Sequence, residues 1–139
     1  MNFRFFIISI ILTSGFVGVT FAETVSAEKE FSQEEILEMK HKAVLITMND
    51  GTFMIELFPE DAPNTVHNFL KLVESGYYDG MVFHRIIPGF MIQVGDPNTK
   101  DPEADRSSWG QGGPGYSINA EFNTLQHDRG IVSMARSQH

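Results

Sequence analysis

Residues 83–93, reading FHRIIPGFMIQ, restrict the possible folds more than any other stretch, because two short apolar runs meet at Pro88 and Gly89. Turn residues between runs rich in Ile and Phe predict two antiparallel strands joined as a hairpin. One Arg and one Gln interrupt this greasy surface. A guanidinium in mid-strand has to find acceptors or stay wet, since burying it unpaired is very costly. Periodicity alone favours a simple ion pair between Arg85 and one of the chain's carboxylates. Register decides whether more is possible. With Pro88 and Gly89 as a two-residue turn, Arg85 would lie opposite Ile92 and Gln93 would point to the other face. With Pro88, Gly89 and Phe90 as a three-residue connection, Arg85 pairs with Gln93 and Ile87 with Met91, all facing one way.

The flanking sequence carries the same period. Residues 43–48 form a short apolar run, Asn49, Asp50 and Gly51 carry turn chemistry, and residues 52–58 resume in strand-forming types, which predicts another hairpin. Pro59 closes it. After Pro63, Val66, Phe69, Leu70 and Val73 fall at i, i+3, i+4 and i+7, one apolar helical stripe that Gly76 ends. Residues 81–87 and 90–94 read as strands, 95–115 as a long loop rich in Asp, Pro, Ser and Gly, and 130–136 as a last apolar strand. Mostly antiparallel strands with one or two helices favour an open or closed β-barrel over a parallel α/β sheet. The 139 residues suit one such domain.

Ahead of it the chain changes character twice. Arg4 precedes an apolar run over residues 5–22, and small residues follow at Ala22, Ser26 and Ala27, the pattern of an export signal. Cleavage after Ala22 and after Ala27 both satisfy the small-residue rule, with Ala27 preferred, so residues 1–27 are expected to be the signal peptide. The alternative is an N-terminal membrane anchor over residues 5–22, just long enough to cross a bilayer. Residues 28–42 are charged and helical in flavour, with Ser32 and Glu35 as a capping box and Lys40, His41 and Lys42 near the end. They read as a charged helical spacer or surface helix.

Several chemistries lose support on inspection. The net charge of −8 would repel phosphate backbones, so nucleic acid is not an expected partner. Without cysteine there are no disulfides and no thiolate chemistry. Gly110, Gly112 and Gly115 spell GxGxxG, but an acidic loop precedes them and Pro114 and Tyr116 follow, where a dinucleotide site needs a strand and then a helix. They read as a tight backbone turn. The histidines at 41, 67, 84, 127 and 139 have no metal-pair spacing, and no serine sits in a nucleophile elbow. His67 is expected on the exposed side of its helix. For His84 a neutral ring hydrogen-bonded within the domain is favoured over a catalytic base.

FHRIIPGFMIQ, then GDP at 95–97, GGPGY at 112–116, Glu121 with Phe122, and RGIVSMAR at 129–136 resemble the cyclophilin-type peptidyl-prolyl cis-trans isomerases, in the order and spacing of compact prokaryotic-type members. The resemblance covers residues 43–139. It implies a mainly β fold, a cyclophilin-like antiparallel β-barrel capped by helices, with the prolyl site on its outer face. Arg85 then resembles the catalytic donor to the prolyl nitrogen, and Gln93 the residue that orients it and meets the substrate backbone. Phe90 and Met91 resemble part of the apolar bowl for the proline ring. Ala135, Arg136 and Ser137 match the segment whose backbone pairs with the substrate peptide. No cofactor is implied. The implied partners are proline-containing polypeptides and cyclosporin-like ligands, met by an exported monomer that touches membrane only through its N-terminal segment.

Departures from the family pattern set further expectations. Val94 stands where the family usually has Gly, and Arg136 where many eukaryotic members have Asn. The loop over residues 97–109 is acidic and longer than in minimal members, which would bias a site against acidic clients. Trp109 does not match the family's drug-contacting Trp. The chain stops at His139, just after the SMAR run, where the family continues into more of the proline pocket and closing strands. The barrel is therefore expected to be incomplete and the chain a C-terminally truncated fragment. A noncatalytic proline-peptide-binding module or chaperone is the competing functional reading.

Overall fold

The computed structural model describes Thr24–Val25 and residues 28–136. The expected signal or anchor segment lies outside the described residues apart from Thr24–Val25, which form β1. Among the described residues no helix is long and apolar enough to cross a membrane.

Helix α1 spans Gln33–Lys40 and starts where Ser32 and Glu35 cap each other. The Ser32 hydroxyl accepts from the Glu35 N–H at 3.2 Å, and the Glu35 carboxylate accepts from the Ser32 N–H at 2.8 Å. Two otherwise orphaned donors are satisfied reciprocally. Lys29 Nζ lies 2.6 Å from the same carboxylate. The Lys29 ammonium, then the Ser32 N–H and hydroxyl, hold the Glu35 carboxyl down to about 2.

Strands β2 (Ala43–Met48) and β3 (Gly51–Glu56) pair antiparallel from Ala43 opposite Glu56 to Met48 opposite Gly51. Asn49 and Asp50 are left as the turn, as their chemistry predicts. The strand period then separates two faces. Val44 and Ile46 turn inward toward Ile55, while Leu45 and its partner Met54 stay 65% and 71% exposed on the other side.

Helix α2, Pro63–Glu74, packs across this hairpin. Val66 and Leu70 are buried in one cluster with Met39, Val44 and Leu57, and Phe69 and Val73 pack against it, which is the stripe the sequence predicts. Met39 reaches the cluster from α1, flanked by Phe31 and Ile36. The helix also buries Asn68 and Leu72, and Tyr116 donates its hydroxyl to Asn68 Oδ1 at 2.6 Å. Gly76 ends α2 with φ +70°, and its N–H donates to Val73 C=O at 3.0 Å.

Strands β4 (Arg85–Ile87) and β5 (Met91–Gln93) form the second antiparallel hairpin, and β6 (Tyr116–Ser117) pairs parallel with β1. The strands expected over residues 81–87 and 90–94 are thus shortened to three residues each. Ahead of β4 the chain bonds to loop residues instead of a ladder, Met81 N–H to Tyr78 C=O and Val82 N–H to Thr99 Oγ1. The described strands pair as three two-stranded sheets, joined by two helices. The strand expected over residues 130–136 is not formed: residues 131–136 are irregular and exposed. A strand exists by its ladder, and among the described residues no segment pairs with this one.

Candidate active site

The β4–β5 ladder sets Arg85 opposite Gln93, Ile86 opposite Ile92 and Ile87 opposite Met91. Pro88, Gly89 and Phe90 are therefore a three-residue connection, closed by the Phe90 N–H on Ile87 C=O at 3.0 Å. Gly89 takes φ +75°, a left-handed turn conformation that a side chain would strain. Of the two registers the sequence allows, this is the one that puts Arg85 and Gln93 on one face. Arg85 is exposed and Gln93 half-buried. Among the described residues Arg85 makes no ion pair, so the salt bridge that periodicity favours is not found.

Phe90 crowns the connection at 77% exposure, next to half-buried Met91. An Arg, a Gln, a Phe and a Met are so collected on one short hairpin. Ala135 and Arg136 lie exposed in irregular chain, and among the described residues no ladder brings their segment to the hairpin. Ser137 lies outside the described residues.

Behind the hairpin the long loop is folded around one buried carboxylate. Asp96, 2% exposed, accepts from the Asn98 N–H at 2.8 Å and from the Gly110 N–H. Burial pushes its carboxyl up, but the N–H groups of Asn98, Gly112, Gly110 and Gln111 outweigh burial and hold it below the usual carboxylate value. Short 3-10 turns at Pro97–Lys100 and Arg106–Ser108 start on Asp96 and Asp105, each accepting from the N–H two residues on. The Asn98 side chain then reaches Ser108 C=O at 3.2 Å. Gly112 has to be a glycine, since a Cβ there would overlap Asp96 Oδ1 and sit 3.0 Å from Asn98 Nδ2. The glycine-rich run is thus a backbone cradle for a carboxylate of the chain itself, and β6 follows it where a nucleotide site would need a helix.

His84 departs from its expected role. Both ring nitrogens are buried with no hydrogen-bond partner among the described residues, as is Trp109 Nε1. The ring lies against the backbone of Gly110, whose Cβ position is 3.5 Å from His84 Cδ2 and Nε2. Packing by the loop has displaced the hydrogen bonding that a neutral histidine was expected to make. His67 is exposed as expected and stacks 5.1 Å from the Phe31 ring.

Sequence reasoning notices Asp96 only as part of the GDP motif and misses Thr99, since it takes residues 95–115 as a long loop rich in Asp, Pro, Ser and Gly. The usable signal was an Asp two residues before Asn98 with paired glycines ahead, an Asx-turn pattern beside a place of close backbone approach. Glu121 is noticed only as part of a motif. In the structure its carboxylate accepts the N–H groups of Asn64 at 2.9 Å and Thr65 at 2.7 Å.

The sequence pattern of the cyclophilin type peptidyl-prolyl cis-trans isomerase/CLD family matches residues 43–139. A Synechococcus elongatus protein named peptidyl-prolyl cis-trans isomerase is 47% identical over 96 residues, covering 69% of this chain and 59% of its own length. Peptidyl-prolyl cis-trans isomerase B of Bacillus subtilis is 48% identical over 93 residues, 65% of this chain and 59% of its own. Peptidyl-prolyl cis-trans isomerase-like 2 of Cryptococcus neoformans is 40% identical over 129 residues, 83% of this chain and 22% of its own. The chain therefore spans about six-tenths or less of the length of these curated relatives. No solved structure matches it. With the family pattern over residues 43–139 and the Arg85–Gln93 hairpin inside it, the chain belongs to the cyclophilin-type peptidyl-prolyl cis-trans isomerase family.

Proposed function

We propose that the protein accelerates rotation about X-Pro peptide bonds in polypeptide substrates, with Arg85 as the catalytic donor. The single observation that carries this reading is the register that pairs Arg85 with Gln93 on one face of the β4–β5 hairpin. A peptide bond resists rotation by about 18–20 kcal/mol because nitrogen shares its lone pair with the carbonyl. In the twisted transition state the lone pair returns to nitrogen. A fixed N–H donor aimed at that nitrogen then binds the twisted form better than either planar form, which lowers the barrier. The reaction moves no proton and breaks no bond, so an exposed guanidinium with an orienting amide beside it is sufficient polar chemistry.

Phe90 and Met91 supply apolar surface against which the proline ring packs, and the backbone of Ala135, Arg136 and Ser137 pairs with the substrate peptide. Cyclosporin-like ligands would compete for the same surface. The wider protein is read as an exported, monomeric folding catalyst of the prokaryotic type. Export is supported by the apolar run after Arg4 and the small residues at Ala22, Ser26 and Ala27. The two antiparallel ladders support a β-barrel as the complete architecture.

Proline-limited refolding of a reporter protein, with Arg85→Ala beside the unchanged chain, tests this function. The expected result is a rate loss of about a hundredfold or more with proline-peptide binding retained. Equal rates in the two proteins would remove Arg85 from the mechanism. Binding without acceleration by either protein would leave a noncatalytic prolyl-peptide module.

A further inference from the structure

The hairpin that carries Arg85 and Gln93 is short, exposed and anchored at both ends by the same loop. Val82, three residues before Arg85, donates its N–H to Thr99 Oγ1 at 3.3 Å. Thr99 donates that hydroxyl to the carbonyl of Asp96, three residues after Gln93, at 2.7 Å. One buried hydroxyl, on a residue 4% exposed, thereby ties the chain entering β4 to the chain leaving β5. The Asp96 end is itself held: its carboxylate sits in the cradle of N–H groups from Asn98 and Gly110, and Tyr77 donates its hydroxyl to Gly95 C=O at 3.0 Å. Gly110 in turn lies over the ring of His84, the neighbour of Arg85.

A two-stranded hairpin alone is marginal in water. A donor that must meet a twisted amide nitrogen cannot wander, since a displacement of about 1 Å can cost on the order of a hundredfold in rate. We propose that Thr99 is a positioning residue for prolyl isomerisation, clamping the base of the Arg85–Gln93 hairpin to the Asp96 loop. The inference rests on the reading of Arg85 given above. It also gives the long loop a role in the reaction, because the loop's first turn holds the hairpin in place.

Thr99→Val keeps the shape of the side chain and removes the hydroxyl, so both hydrogen bonds go at once. In the full chain, assayed where each protein is folded, Thr99→Val is expected to lower kcat/KM about tenfold with peptide affinity changed far less, and Thr99→Ser to restore it. Hydrogen exchange of the amides from Arg85 to Gln93 should speed up while those of α2 stay unchanged. Full activity in Thr99→Val beside an inactive Arg85→Ala overturns the clamp. Full activity in both overturns the Arg85 reading instead. If no protein accelerates isomerisation, that reading fails, and unchanged hairpin exchange in Thr99→Val separately overturns the clamp. Should Thr99→Val not fold, Thr99→Ala, which also removes the hydroxyl and both of its hydrogen bonds, decides by the same rate and exchange measurements.

Discussion

Glu121 closes the open N-terminus of α2 by accepting the Thr65 N–H at 2.7 Å, across 56 residues of sequence. The helix needs this, because its N-cap residue, Ala62, offers no side-chain acceptor. A carboxylate over the first N–H groups of a helix gains both from the hydrogen bonds and from the helix dipole. Glu121→Ala is expected to lower stability by about 1–2 kcal/mol, read as a shift in the urea midpoint. Glu121→Gln, which keeps an acceptor and loses the charge, should lose less. Equal losses would mean that charge does not matter here.

Asp96 should make the protein sensitive to acid. Its folded carboxyl is held below the ordinary 3.8, so the folded state binds its proton less readily than the unfolded state. That stabilisation is complete above the unfolded value and is lost as pH falls through the folded one. Urea midpoints measured from pH 7 down through pH 4 and below should therefore decline (the lower limit roughly where carboxylates titrate). In Asp96→Asn the decline should be shallower and the protein weaker at neutral pH, because a neutral amide accepts less strongly from the cradle's N–H groups. Parallel curves for the two proteins would contradict this.

Adjacent glycines in the same run should respond unequally to a methyl group. At Gly112 an added Cβ meets the Asp96 carboxylate, whereas at Gly113 it meets nothing within 4 Å. Gly112→Ala is expected to destabilise by about 1–3 kcal/mol through overpacking, and Gly113→Ala to stay within about 0.5 kcal/mol. Thermal unfolding of the two variants side by side is enough to decide it.

What could be read from the residues divides by range. The capping box of α1, the Asn49–Asp50 turn and the α2 stripe depend on neighbours a few positions apart, and their chemistry is visible in order along the chain. The Arg85–Gln93 pairing was open between two registers, since Pro88 and Gly89 suit a two-residue turn as well as a three-residue one; backbone pairing chose the latter. The Glu121 cap and the Asp96 cradle join groups 56 and 14 residues apart. No local period marks a carboxylate for a distant backbone N–H. Residues 131–136 fail for the opposite reason: they are apolar enough for a strand, but composition does not supply a ladder partner.

Helix α1 offers a final check on how far the folded unit extends, because it lies ahead of residues 43–139, where the family pattern matches. Met39 is buried at 6% exposure in the cluster of Val44, Leu57, Val66 and Leu70, whereas Leu37 on the same helix is 52% exposed. The Lys29 N–H also donates to Asn64 Oδ1 at 3.0 Å, on the residue whose own N–H goes to Glu121. A segment held at both its helix and its approach should unfold with the domain. Met39→Ala is expected to cost about 2–5 kcal/mol in global unfolding, and Leu37→Ala about 0.5 kcal/mol or less. If both variants leave the urea midpoint in place while α1 amides exchange far faster than those of α2, the helix is a loosely attached leader and not part of the core.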